Sequence, residues 1–136
     1  MKNKLLWGAL PIIFFAGLLI GNIFVFKTKE QGQILYEQHC ASCHMEKGEG
    51  LAQLIPPITK SDWLTQNPSK LACLIRYGQK GEVVVNGVKY NQPMPANSRL
   101  TEIEIHNLIN YIFNNFENQI QKRSLDKIRE DLNTCH

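Results

Sequence analysis

One five-residue stretch constrains this chain more than any other: Cys40-Ala41-Ser42-Cys43-His44. Two thiols three residues apart, with an imidazole on the very next residue, suit a metal clip, a dithiol redox pair or covalent attachment of haem. A structural zinc site needs about four ligands, often from a second C-x-x-C or an H-x-x-x-H pair. The sequence contains neither. A thioredoxin-like pair expects βαβ surroundings, whereas the flanking residues here carry a helical pattern. Haem attachment explains the spacing: two thiols add to two vinyl groups on one edge of the porphyrin, and His44 then lies beneath the ring. One covalently attached haem c, held by Cys40 and Cys43 with His44 on the iron, is the expected cofactor.

The second axial position then needs a ligand. Met45 adjoins His44 and cannot reach the opposite face, and Met1 lies far outside the domain. Met94 remains, set between Pro93 and Pro95. Each proline fixes its own φ and restrains the residue before it to extended backbone. Such a stiff mount suits a weak thioether ligand, because little freedom is lost on binding. The competing reading makes Met94 an adaptable core residue, and His106 is the alternative sixth ligand. His39 is expected to face solvent or a haem propionate, and His136 is the last residue.

Outside this site the sequence divides readily. Residues 5–26 carry no charged side chain, and 22 residues are enough for a helix to cross a hydrocarbon layer of about 30 Å. Lys2 and Lys4 precede the run, which orients the amino terminus to the cytoplasm and the rest outward. A cleaved signal peptide is the alternative, but it would have a shorter apolar core and a small-residue cleavage site. The chain carries 15 Lys+Arg against 12 Asp+Glu, a net +3. Setting aside Lys2 and Lys4 leaves the exported part near +1, with no footprint for nucleic acid. The boundaries read as an anchor over 1–26, a tether over 27–33, a haem domain over 34–116 and an extension over 117–136.

Helical spacing marks residues 32–44, a short turn at "SDWLTQNP", and "NPSKLACLIRYG" with Ser69 as cap and Gly78 as stop. Val83, Val84 and Val85, followed by Asn86-Gly87 and then Val88 and Tyr90, read as a β-hairpin. Thr101 and Glu104 form a capping box ahead of Ile105, Leu108, Ile109 and Ile112. The extension reads as a charged amphipathic helix with Ile120, Leu125, Ile128 and Leu132 on its apolar face. The expected fold is all-α, with helices round one haem, a small hairpin, an amino-terminal transmembrane helix and an extra carboxy-terminal helix.

These residues resemble the class I c-type cytochromes over roughly residues 31–116. The resemblance rests on Gly32 and Tyr36, Cys40-Cys43-His44, Pro56, Met94 and the Leu108, Tyr111, Ile112 pattern. It implies the cytochrome c fold, with the first and last helices of the domain crossing at Gly32 and Tyr111. It also implies that the Pro56 carbonyl accepts from His44 Nδ1. Around "SDWL" and "VNGVKYNQPMP" the chain looks more like cytochrome subunits of bacterial membrane dehydrogenases and respiratory complexes. On that likeness Trp63 donates to a propionate, and Tyr90 packs on the haem or bonds near Met94. Trp63 keeps a plain core alternative.

Two features depart from the simple pattern: the extension, and the second cysteine pair, Cys73 and Cys135. A disulfide between these two is expected, tying the extension to the helix that carries Cys73. Closing an interval of 62 residues would restrain the unfolded chain by roughly 4 kcal/mol. The function expected is electron transfer by a membrane-anchored monohaem cytochrome of a respiratory chain, facing the periplasm or cell exterior. It would exchange electrons with dehydrogenase, oxidase or reductase partners and would not be an enzyme. The alternatives are a haem-bearing subunit fixed in a membrane dehydrogenase or terminal reductase, and a haem sensor or enzyme whose Met94 is displaceable.

Overall fold

A computed structural model of the protein describes residues 29–135. Along them run α1 (Gln31–His39), α2 (Ala41–His44), α3 (Asp62–Gln66), α4 (Leu71–Tyr77), β1 (Val83–Val85), β2 (Val88–Tyr90), α5 (Glu102–Asn115) and α6 (Leu125–Asn133). The anchor expected at 1–26 and the terminal His136 lie outside the described residues. Among the described residues, no helix is long and apolar enough to cross a membrane.

The centre of the fold is the crossing of α1 over α5. It works because Gly32 has no side chain: a Cβ there would collide with the Asn107 carbonyl and come within 2.6 Å of Tyr111 Cβ. The expected crossing of Gly32 with Tyr111 is therefore what the structure builds. Tyr36, Tyr111 and Phe116 cluster beside it, with Tyr36 and Phe116 ring centroids 4.8 Å apart and Tyr111 edge-on to Phe116. Below the crossing, Ile105, Leu108 and Ile109 of α5 are fully buried. Each such aliphatic side chain contributes about 1.5–3 kcal/mol by leaving water. Thr101 and Glu104 form the expected capping box at the start of α5.

The expected hairpin is present, with Val83 opposite Tyr90 and Val85 opposite Val88. Asn86 and Gly87 both take positive φ, 52° and 76°, as a tight two-residue turn with the twist of the strands requires. Asp62 locks this turn to α3: Asn86 N–H donates to Asp62 Oδ1 at 2.7 Å, and Asp62 N–H donates back to Asn86 Oδ1 at 3.0 Å.

Four expectations are corrected. The tether does not reach 33, because α1 begins at Gln31. The helix expected over 32–44 breaks at Cys40, whose φ of −122° divides α1 from α2. Ser69 does not cap α4; Lys70 holds that position with no side-chain cap. The largest difference is in the extension, where residues 117–124 are not helical. Glu117 and Gln119 take positive φ, and buried Asn118 bonds the 58–61 loop instead. Its Oδ1 accepts from Ser61 N–H at 2.7 Å, and its Nδ2 donates to the Ile58 carbonyl at 2.9 Å. Tertiary hydrogen bonds outweigh a weak local helix preference here. Only α6 is helical; Ile128 is fully buried, and Arg123 pairs with Asp131 at 2.6 Å. Cys73 and Cys135 are joined by the expected disulfide.

Candidate haem-binding site

The helices and the hairpin line an open, largely apolar cavity. Cys40, Cys43, His44, Pro56, Trp63 and Met94 all line it. Cys40 and Met94, 54 positions apart in sequence, are thus brought to one chamber. Cys40 is buried and Cys43 exposed, and neither is bonded to another cysteine.

His44 is held from below. Its Nδ1 lies 3.0 Å from the Pro56 carbonyl oxygen, as the resemblance implies. Burial lowers the His44 pKa, and the Pro56 hydrogen bond opposes that without reversing it. The ring is therefore neutral near pH 7, with Nδ1–H donating to Pro56 and the Nε2 lone pair left for a metal. The acceptor reaches this place because of Gly50. Gly50 has φ +71°, donates to the His44 carbonyl at 3.0 Å, and sits where a Cβ would strike the Ile55 carbonyl and approach the Pro56 carbonyl to 2.8 Å. Tyr36 steadies the following residue, its hydroxyl donating to the Met45 carbonyl at 2.7 Å. Burial of that phenol, with nearby Cys40 adding to the effect, pushes its pKa well up, so it remains a donor. Burial also pushes the Cys40 thiol up to about 12, with Cys43 adding to it.

Met94 is held differently. Of Pro93, Met94 and Pro95 only Met94 has an N–H, and it donates to the Gln79 carbonyl at 3.0 Å while its own carbonyl accepts from Gln79 N–H at 2.9 Å. This reciprocal bridge needs Gly78, whose φ is +79° and whose Cβ would lie 2.5 Å from the Met94 carbonyl oxygen. Gly78 was legible in the sequence as a helix stop, but its second task was not. Gln79 carried no sequence signal, because it acts through its backbone.

Trp63 lines the cavity, half-buried on α3, which Ser61 caps by accepting from Leu64 N–H. Tyr90 is buried, but it is not among the lining residues. It is the cross-strand partner of Val83, which does line the cavity, so the two side chains share a face of the hairpin. His39 is exposed, and His106 is half-buried beside Asn107, away from the cavity.

The donor set fits a covalently held haem. Two unpaired thiols and an imidazole with Nδ1 already satisfied open on an apolar chamber. Among the described residues, no three His, Cys, Asp or Glu side chains are grouped to hold a bare metal ion.

Residues 29–115 match the cytochrome c family. The chain is also similar to two proteins named cytochrome c-552, both from Thermus thermophilus. One is 31% identical over 101 residues, covering 71% of this chain and 66% of the relative. The other is 32% identical over 85 residues, covering 60% and 64%. The match thus spans slightly less than two thirds of either relative. Most of the chain, including the chamber and its thiols, falls within the matched stretch: this chain belongs to the cytochrome c family, and its cofactor is one covalently attached haem c.

Proposed function

We propose that the protein is a one-electron carrier with His44 and Met94 as axial ligands, tethered to the outer face of the cytoplasmic membrane in a respiratory chain. The observation that carries this reading is that Met94, the residue clamped by Gln79, lines the same apolar chamber as His44. When bound, the haem supplies Fe(III)/Fe(II) exchange. The chain holds the imidazole neutral and oriented through Pro56, presents the thioether on a stiff mount, and keeps water from the chamber with Leu64, Leu71, Ile75 and Ile112. With His44 and Met94 both holding the iron, no coordination site would be left for a substrate, which favours a carrier over an enzyme. His/Met ligation raises the potential relative to bis-histidine ligation.

Membrane tethering rests on the uncharged run at residues 5–26 behind Lys2 and Lys4. The disulfide supports an oxidising compartment such as the periplasm. A tether would raise the local concentration of the carrier near membrane-bound donors and acceptors. Within this proposal Trp63 donates its indole N–H to a propionate. A second reading, a subunit fixed in a membrane dehydrogenase or terminal reductase, draws on exposed Val84 and Val88 of the hairpin. Stoichiometric copurification from detergent extracts would support it.

The test of the ligand assignment is spectroscopic. The oxidised protein should show the weak long-wavelength sulfur-to-iron band, the reduced protein should be inert to carbon monoxide, and Met94→Ala should reverse both. A native protein without that band overturns the Met94 assignment.

A further inference from the structure

We propose that the carboxy-terminal extension is a brace for the Met94 side of the haem, acting through the Cys73–Cys135 disulfide, α4 and the Gly78–Gln79 backbone as positioning elements. The inference rests on Met94 being an iron ligand.

The chain of contacts is short. The carboxy-terminal half of α4 and the residues just after it carry almost the whole 94–98 loop. Gln79 exchanges two hydrogen bonds with Met94, Asn97 N–H donates to the Ile75 carbonyl at 2.9 Å, and Arg76 donates to the Ser98 carbonyl at 2.9 Å. Where α4 goes, the thioether goes. Leu74 and Ile75 of the same helix line the cavity.

Yet α4 is poorly equipped to hold itself. It has seven residues and no side-chain cap, and isolated helices that short are marginal in water. Leu71, Ala72 and Ile75 pack inward, and the opposite side carries the disulfide to the end of the extension. An open cleft, lined by Lys70, Tyr77, Thr134 and the two cysteines, lies around that bond. α6 also packs against α4, and the disulfide adds a covalent link to that contact.

The extension is firmly seated elsewhere. Ile128 is fully buried; Asn110 of α5 accepts from Arg123 N–H and donates to its carbonyl; Arg123 pairs with buried Asp131; and Arg129 pairs with Glu102. One end of the brace is therefore fixed to α5, and the other is welded to α4. The matched family region stops at residue 115, and the brace follows it, placed on the ligand that is the weaker of the two.

The test uses the full-length holoprotein. In Cys73→Ala/Cys135→Ala, and in native protein whose disulfide is reduced with dithiothreitol, the Met94-off state should become at least about tenfold more populated. Binding that requires the open state scales with its fraction, so carbon monoxide should bind the reduced haem correspondingly faster. The sulfur-to-iron band should weaken, and the midpoint potential should fall. Gly78→Ala should produce the same three changes with the disulfide intact. If the cysteine variant loses thermal stability while its carbon monoxide kinetics, band and potential stay native, the disulfide is only a staple and the proposal is wrong. Should the variant fail to fold, dithiothreitol reduction of the folded protein decides by the same criteria. The native protein separates the two readings: absence of its band overturns the Met94 ligand assignment, whereas a native band unmoved by breaking the disulfide overturns the brace alone.

Discussion

On the His44 side of the chamber, the parts that position the imidazole come from one run of chain: Cys40 and Cys43 precede the ring, Gly50 turns the chain back, and Pro56 accepts from Nδ1. On the Met94 side, the parts come from three places: the proline pair beside it, Gly78–Gln79 at the end of α4, and Cys135 near the end of the described chain. A local wall needs little chain closure to assemble, so its ligand site costs little entropy beyond the loop itself. The distant wall is ordered only when the tertiary structure is.

The sharpest break in this comparison is His44→Ala, for which no other side chain on the local wall substitutes. Loss of haem-bearing protein is expected, read as covalent haem on a denaturing gel; full retention would mean that the thiols alone organise the site. Next comes Gly50→Ala, which adds a Cβ at positive φ against two carbonyls. A loss of about 3 kcal/mol in urea unfolding is expected. A loss under about 1 kcal/mol would show that the 50–56 turn adjusts freely, and the local wall would be less rigid than described.

Asn118→Ala examines the long-range stitching. It leaves Ser61 N–H and the Ile58 carbonyl unpaired in a buried place, so about 2 kcal/mol should be lost. The smallest effect is expected at the start of α5. Thr101→Ala should cost about 1 kcal/mol at neutral pH. Its partner Glu104 has its carboxyl held below the usual range, first by Thr101 N–H and then by the Thr101 hydroxyl. The contribution of that carboxylate is complete above the ordinary carboxylate range and is lost as pH falls through the lowered value. The cost of Thr101→Ala should therefore shrink in acid; comparing urea midpoints at neutral and acid pH reads this directly.

Features that depend on residue type at fixed spacing are legible before the fold is known. The Cys40–His44 motif, the Asn86-Gly87 turn and the capping box at Thr101 stand where the sequence places them, and the Gly32–Tyr111 crossing stands where the family resemblance places it. The pairing of Cys73 with Cys135 stands too. Other features were not legible, because backbone groups or a single overriding contact make them. Gln79 clamps Met94 with its main chain, which any non-proline residue also possesses. Asn118 looks like an ordinary polar residue on a helix until the 58–61 loop takes up both ends of its amide.

By itself, the sequence singled out the candidates for the chemistry: two thiols for haem attachment, one imidazole beside them and one methionine for the opposite side. Those follow from reactive side chains at short, fixed separations, and from the scarcity of other methionines within reach. Only the tertiary structure decided how firmly each side is held, because the Met94 wall depends on contacts across Gln79, α4 and the extension. Contacts between segments far apart in the chain form only once chain entropy has been overcome by the core, and no local pattern records them.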